Sequence, residues 1–105
     1  MTDITFDALR YANVRRCNGA FHPVDAWSPC DWMTAACGEL GEAANLIKKR
    51  RRGEDIDTEA IAHEPADTAI YIDLLAARLG ISMSRAVREK FNIVSTRMGS
   101  DVVLP

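Results

Sequence analysis

Apolar residues recur every three or four positions through four segments of this chain, and Gly or Pro interrupts the pattern between the segments. That spacing places apolar side chains on one face of an α-helix. No segment alternates apolar and polar residues over the length of a strand. We therefore predict an all-α fold, a four-helix bundle in a single domain that covers residues 1–105.

The first half of the chain predicts two helices. The first runs from Ile4 to about Asn18, and residues 19–30 form a loop because they contain Gly and two prolines. Ser28-Pro29 or Asp31 caps the second helix, which ends near Arg52 before Gly53. Its predicted buried stripe is Met33, Ala36, Leu40, Ala43 or Ala44, and Ile47.

The second half predicts two more helices. Asp57 or Thr58 begins the third, which stops at Leu79-Gly80. Pro65 predicts a kink or a restart inside it; in a restart, Glu64 would be the cap. Ser82 caps the fourth helix, and the tail after Met98 is predicted to be extended and to pack on a partner. The predicted buried stripe of the fourth helix is Met83, Val87, Phe91, Val94 and Met98.

Composition narrows the class of protein. The chain has a net charge of −2 and 48% apolar residues, which is typical of one globular domain and not of a general nucleic-acid binder. No apolar run approaches the roughly 20 residues that span a bilayer, and the N-terminus lacks the pattern of a secretory signal. Cys17, Cys30 and Cys37 match no zinc-site spacing. They are predicted to be reduced, largely packed thiols of a cytoplasmic protein.

Two pairs of acids lie on the predicted second and third helices. Glu39 and Glu42 are three residues apart, as are Glu64 and Asp67, so each pair shares one helix face. Helices joined by a short connection usually pack antiparallel, which would bring the four carboxylates together. Grouped carboxylates repel one another, and Mg²⁺ or Mn²⁺ relieves that repulsion because these ions prefer oxygen ligands. Either pair alone is more often part of a solvated helix face than a set of metal ligands. By spacing alone, the two pairs together favour the two interpretations about equally.

A block of five consecutive cations, Lys48–Arg52, follows the first acid pair. Beside a carboxylate–metal site, these cations could contact a polyphosphate. At the C-terminal end of a helix, the same cations complement the helix dipole without binding any ligand. The basic block therefore leaves both interpretations open.

The segments "GELGEAANLIKK" and "HEPADTAIYIDLLAARLG" resemble the Glu-x-x-Glu … Glu-x-x-Asp signature of MazG-like, all-α NTP pyrophosphohydrolases. The similarity extends to "RYANVRRC", "AFHPVDAWSPCDW" and "VREKFNIVSTRMGSDV", and so covers most of the chain. Pro65 departs from the family pattern, which usually has a helix former there. The resemblance implies a Mg²⁺-dependent homodimer or homotetramer, with Mn²⁺ able to substitute. It would hydrolyse an NTP or dNTP to the monophosphate and diphosphate in the cytosol of a bacterium or a phage-infected host.

The resemblance also implies roles for individual residues. Glu39, Glu42, Glu64 and Asp67 match the family's metal ligands, which hold two or three ions, and Glu42 is the candidate for orienting the attacking water. Trp27 and Trp32 are both candidates for stacking on the base. Core packing is the alternative for each, and it is favoured more for Trp32, which adjoins Met33. A purine nucleotide such as dGTP or GTP is the favoured substrate. The predicted substrate-binding residues are Asn13, Arg16, Trp27, Lys49, Arg52, Tyr71 and Lys90.

Two alternatives belong to other functional classes. A di-iron bundle normally needs Glu-x-x-His pairs, and here Asn45 and Asp67 occupy the positions three residues after Glu42 and Glu64. That class is disfavoured. A non-catalytic helical dimerisation or nucleic-acid-binding module that uses Lys48–Arg52 stays open. Such a module would show salt-dependent affinity for nucleic acid and no need for a metal.

Overall fold

Four α-helices account for most of residues 2–105, the part of the chain that the computed structural model describes. The predicted all-α class and the number of helices are confirmed, and residues 2–105 contain no strand. Within this range, no helix combines the length and the apolar content that a bilayer crossing requires. The helices are α1 (Phe6–Arg16), α2 (Pro29–Arg51), α3 (Thr58–Arg78) and α4 (Met83–Met98).

Each helix begins where a short polar side chain accepts a hydrogen bond from the first turn's backbone. These caps are Thr5, Ser28, Asp57 and Ser82. Ser28 and Asp31 form a reciprocal capping box, in which each side chain accepts from the other residue's backbone amide. The predicted starts of α2, α3 and α4 are therefore confirmed.

The segment between α1 and α2 is more ordered than the predicted loop. The chain leaves α1 after Arg16 and forms a wide π-type turn over Cys17–Phe21, then a 3₁₀ turn over Val24–Ala26. The Asn18 side chain accepts a hydrogen bond from the Val24 amide at 2.9 Å. The Trp32 indole donates to the Val24 carbonyl at 3.1 Å. This segment is thus fixed against the start of α2.

Pro65 lies inside α3, which continues through it without a break. The predicted restart is wrong, and Glu64 is a residue of the helix interior and not its cap. Proline lacks the N–H that would pair with the Ile61 carbonyl, yet Asp57 caps the helix one turn before Ile61 and the long contact with α2 holds both halves. The helix therefore keeps Glu64 and Asp67 on one face.

The pairing of α2 with α3 is antiparallel and is the most extensive helix contact in the fold. Arg50 of α2 donates to Thr58 of α3 at 3.2 Å, and further along, the rings of Trp32 and Tyr71 are 6.1 Å apart. The end of α2 therefore lies beside the start of α3, and the start of α2 lies beside the later turns of α3. Helix α1 packs on α3, and α4 packs mainly on α1. Trp32 is 0% exposed at the centre of the core, as predicted.

Helix α2 has one apolar face packed against α3 and a second apolar face that is exposed. The predicted stripe contains residues of both faces. Ala36 and Ala43 are buried, whereas Met33, Leu40 and Ile47 are 45%, 57% and 54% exposed. The prediction that these three larger residues are buried within the chain is wrong. The face against α3 instead carries Trp32 and the two alanines, whose small size lets the helices approach closely. Cys30, Cys37 and Ala44 are also exposed, so the prediction of largely packed cysteines holds for Cys17 alone.

Helix α4 is less covered than its pattern predicts. Phe91 and Met98 are 42% and 77% exposed, so the predicted burial of this stripe is wrong for both. Amphipathic spacing identifies an apolar face but not the surface that covers it. The tail is extended, as predicted, and turns back along α4. There, Asn92 pairs with both the amide (2.8 Å) and the carbonyl (3.0 Å) of Leu104.

Candidate functional site

Three of the four predicted acids meet between α2 and α3. One carboxylate oxygen each from Glu39, Glu64 and Asp67 lies within 4.8 Å of the other two. Glu39 and Glu64 are half-buried, and Asp67 is exposed. The antiparallel register produces this arrangement, because Glu39 faces the segment of α3 that carries the second acid pair.

Glu42 lies outside that three-carboxylate cluster. It is exposed one turn further along α2, yet its charge still acts on Glu39. The structure therefore places Glu42 at the rim of the cluster, where its carboxylate is open to solvent.

The carboxylates perturb one another strongly. A hydrogen bond shared with Glu64, together with partial burial and the charges of Glu42 and Asp67, raises the pKa of Glu39 to about 7. Two carboxylates can share a hydrogen bond only when one of them carries a proton. Near neutral pH, the cluster is therefore poised between holding a proton and holding its full negative charge.

Glu64 is a second carboxylate of the cluster whose polar atoms are not fully paired. Its Oε2 atom is buried and has no hydrogen-bond donor among residues 2–105. A buried carboxylate oxygen is normally paired, because leaving it unpaired costs free energy. The neighbouring groups of the cluster are themselves acceptors and cannot meet this need without a proton or a cation.

A cavity of about 310 Å³ opens beside the cluster, between α1, the π-type turn and α3. Asp67 belongs to both the cluster and the cavity wall, and Asn13, Arg16 and Tyr71 line the same space. Three predicted substrate-binding residues are thus brought together beside an acid. The full lining is Asn13, Arg16, Cys17, Ala20, Phe21, Asp67, Ile70, Tyr71 and Leu74.

Asn13 is held in place by a buried network that sequence reasoning missed. Its amide nitrogen donates to the Ile70 carbonyl at 3.0 Å and to Asp73 at 3.1 Å. Asp73 is only 2% exposed and pairs with the Arg10 guanidinium at 3.0 Å. The signal was available, because Asp73 interrupts the otherwise apolar run "AIYIDLLAA", and an acid there needs a partner from a neighbouring helix.

Trp27 lies in an aromatic cluster beside the cavity and does not line the cavity itself. Its ring centroid is 4.6 Å from those of His22 and Trp32, and the Arg78 guanidinium donates to its carbonyl at 3.0 Å. Phe21 contacts this cluster and also lines the cavity. Sequence reasoning missed Phe21, which precedes the His22-Pro23 pair within the predicted loop.

The predicted phosphate-binding cations are not assembled at the cluster within one chain. Ten residues separate Glu39 from Lys49 along α2, about 15 Å of helix. Arg52 pairs with Glu54 at 2.8 Å beyond the end of that helix. Lys90 lines a separate apolar groove on α4. The block Lys48–Arg52 therefore forms an exposed basic end of α2, partly engaged in local contacts.

No protein-family model matches this chain, and neither a curated protein nor a solved structure was found to match it. Clustered carboxylate oxygens bind hard divalent cations, and the adjoining cavity has walls of aromatic and aliphatic side chains with a few polar groups. Such a combination suits a ligand that is ionic at one end and planar or apolar at the other.

Proposed function

We propose that this chain is a metal-dependent nucleoside triphosphate pyrophosphohydrolase, which converts an NTP or dNTP and water to the monophosphate and diphosphate. The observation that carries this proposal is the convergence of Glu39, Glu64 and Asp67 beside the cavity. The resemblance of the two acid pairs to the MazG-like signature is consistent with it. Guanine nucleotides are the first substrates to test.

The residues present fit a divalent cation. The three clustered side chains offer oxygen ligands of the kind that Mg²⁺ and Mn²⁺ prefer, and the unpaired Oε2 of Glu64 needs a positive partner. Glu39, Glu64 and Asp67 would hold the ions, two or three per site, with Glu42 at the rim. When bound, these ions supply charge neutralisation for a phosphate group and help to activate water.

The protein's own side chains have separable roles in this proposal. Glu42 is exposed and makes only a minor hydrogen bond with Glu39, so its carboxylate can accept a proton from the attacking water. Arg16 lines the cavity and can pair with a phosphate. Tyr71 contributes an aromatic wall for the nucleoside. Trp27 acts by supporting Phe21 in the aromatic cluster.

The test is a chromatographic assay of the purified chain with each common NTP and dNTP. We expect monophosphate and diphosphate with Mg²⁺ or Mn²⁺, and neither product with EDTA. Glu42→Gln should lower kcat by at least about 100-fold, the range for loss of a general base, and helicity should be unchanged. Glu89→Gln, an exposed acid on α4, is the matched control. Salt-dependent nucleic-acid binding without metal-dependent turnover would instead support the binding module.

We further propose that the chain assembles as a homodimer or homotetramer. Two apolar surfaces support this: the α2 stripe of Met33, Leu40 and Ile47, and the α4 stripe with Phe91 and Met98. Contiguous exposed apolar surfaces are one feature that marks protein–protein interaction sites. The predicted contacts of Lys49, Arg52 and Lys90 with substrate stay part of this proposal, since assembly can bring them to a neighbouring copy's site.

Leu40→Glu tests the assembly. A carboxylate on the α2 stripe would be buried without a partner in the interface, so we expect at least a tenfold weaker association, which corresponds to about 1.4 kcal/mol. Light scattering over a concentration series measures the oligomeric state. Asn45→Glu adds the same charge at an exposed position of α2 outside the stripe and should leave assembly unchanged. A wild-type monomer at all concentrations would contradict the proposal.

A further inference from the structure

The ion pair between the half-buried Arg10 and the buried Asp73 adjoins the cavity and takes no part in the proposed reaction. It connects α1 to α3 behind the cavity wall, with Arg10 Nε 3.0 Å from the Asp73 carboxylate. Asp73 is 2% exposed and Asn13 is 3% exposed. A charged group so deeply buried calls for an explanation, because an apolar residue in its place would often serve stability as well.

The network fixes which atom of Asn13 a ligand can meet. An asparagine amide has two N–H donors and one carbonyl acceptor. Both donors are used, at 3.0 Å to the Ile70 carbonyl and at 3.1 Å to Asp73. Both partners accept hydrogen bonds only, so a flipped amide would set its oxygen against two other oxygens. Oδ1 is therefore the atom of this amide that is left for a ligand in the cavity.

We propose that Asp73, supported by Arg10, is a positioning residue. It orients Asn13 so that Oδ1 accepts a hydrogen bond from an N–H group of the nucleobase. This inference rests on the proposed function and specifies how its substrate is selected. The cavity walls around Asn13 include Phe21, Ile70 and Tyr71, which suit a flat base. A phosphate is disfavoured at Asn13 itself, because both amide donors are already used and the oxygen that is left accepts hydrogen bonds only.

The chemistry gives a defined substrate preference. A base that presents an N–H donor, such as an exocyclic amino group, can pair with Oδ1. An analogue that lacks this donor would leave the oxygen unpaired, and sites built around a hydrogen bond discriminate strongly against such analogues. The ring stays the same size, so packing against the cavity walls does not change.

The experiment compares the best natural substrate with its analogue lacking one amino group: dGTP with dITP, dATP with the purine deoxyriboside triphosphate, and dCTP with the pyrimidinone counterpart. For at least one pair, we expect the wild-type kcat/KM to be at least about tenfold higher for the donor-bearing base. Asn13→Ser and Asp73→Asn should each reduce that ratio to within about threefold, chiefly through KM. In Asp73→Asn, the new amide can donate to Oδ1 of Asn13, so the Asn13 amide is no longer held in a single orientation. Asn45→Ala, at an exposed position of α2, should preserve the wild-type ratio.

A stability effect alone would not produce this result, because it would lower the rates for both members of a pair. Thermal melts of each variant separate folding from selectivity. Turnover by the wild type with the same ratio in all variants would overturn the role of Asp73 and leave the proposed function intact. Absence of wild-type turnover would remove the proposed function, and binding of the corresponding nucleosides, followed by NMR, would then decide the inference. A donor preference that both variants lose supports it, and equal or undetectable binding overturns it.

Discussion

Glu39→Gln is expected to lower turnover by at least about 100-fold, because the metal's contribution to phosphate displacement is several kcal/mol and each 1.36 kcal/mol is a factor of ten in rate. Glu39 is the α2 member of the three-carboxylate cluster, so after the substitution the charged ligands of that cluster all come from α3. Gln has nearly the same shape and keeps one oxygen, but it carries no charge. The measurement is diphosphate release at saturating Mg²⁺, with kcat and KM determined separately.

The same substitution should not destabilise the helices. It removes a charge that Glu64, Glu42 and Asp67 all oppose, so in the absence of metal the variant should melt at or above the wild-type temperature. Glu59→Gln changes an exposed acid in the first turn of α3 and should keep full activity. If Glu39→Gln retains wild-type turnover, the cluster is not the catalytic centre.

Without metal, the melting temperature is expected to fall as pH rises from about 4.5 to about 7. The cluster raises the pKa of Glu39 from 4.5 to about 7. Between these values, the folded chain binds more protons at this site than the unfolded chain does. The free energy of unfolding therefore decreases as pH rises through this window, and the repulsion is fully present only about one pH unit or more above the folded-state pKa of about 7. Melts in EDTA across this range measure the effect.

Mg²⁺ should reverse the trend, because it competes with protons for the same oxygens and binds better as pH rises. At a concentration of 100 times its Kd, a ligand specific for the folded state adds about 2.7 kcal/mol, and in a domain of this size each kcal/mol raises Tm by about 4–8 °C. We therefore expect Mg²⁺ to raise Tm by about 10 °C or more at pH 8 and much less at pH 5. Glu39→Gln should show a smaller pH slope and a smaller Mg²⁺ effect. A wild-type Tm that Mg²⁺ leaves unchanged at pH 8 would contradict a metal site.

The helices and most of their ends could be predicted because the signals are local. Ser28, Asp57 and Ser82 are caps in the sequence and in the structure, and the spacing of the acid pairs already put each pair on one face. At Pro65, where local preference favours a kink or a restart, the predicted restart is wrong. The contact of α3 with α2, which no local rule includes, keeps the helix continuous.

The surfaces that meet could not be predicted, because periodicity does not identify the partner of an apolar face. On α2, the small residues Ala36 and Ala43 are buried and the larger Leu40 is exposed, the reverse of an expectation based on hydrophobicity alone. Asp73 was missed for a related reason. Its role depends on contacts with Arg10 and Asn13, which lie 63 and 60 residues away in the chain.

The three clustered carboxylates, together with Glu42 at their rim, also shape the electric field around the whole molecule. Glu39, Glu42, Glu64 and Asp67 carry four formal negative charges when ionised, whereas the entire chain has a net charge of −2, so the rest of the chain has a formal charge of +2. The site thus concentrates more negative charge than the whole chain carries, and the remaining residues have a small formal excess of positive charge. Charge distributions of this kind steer ions as they approach a protein. Free cations are drawn to this site, and a bare polyphosphate is repelled from it until its charge is neutralised.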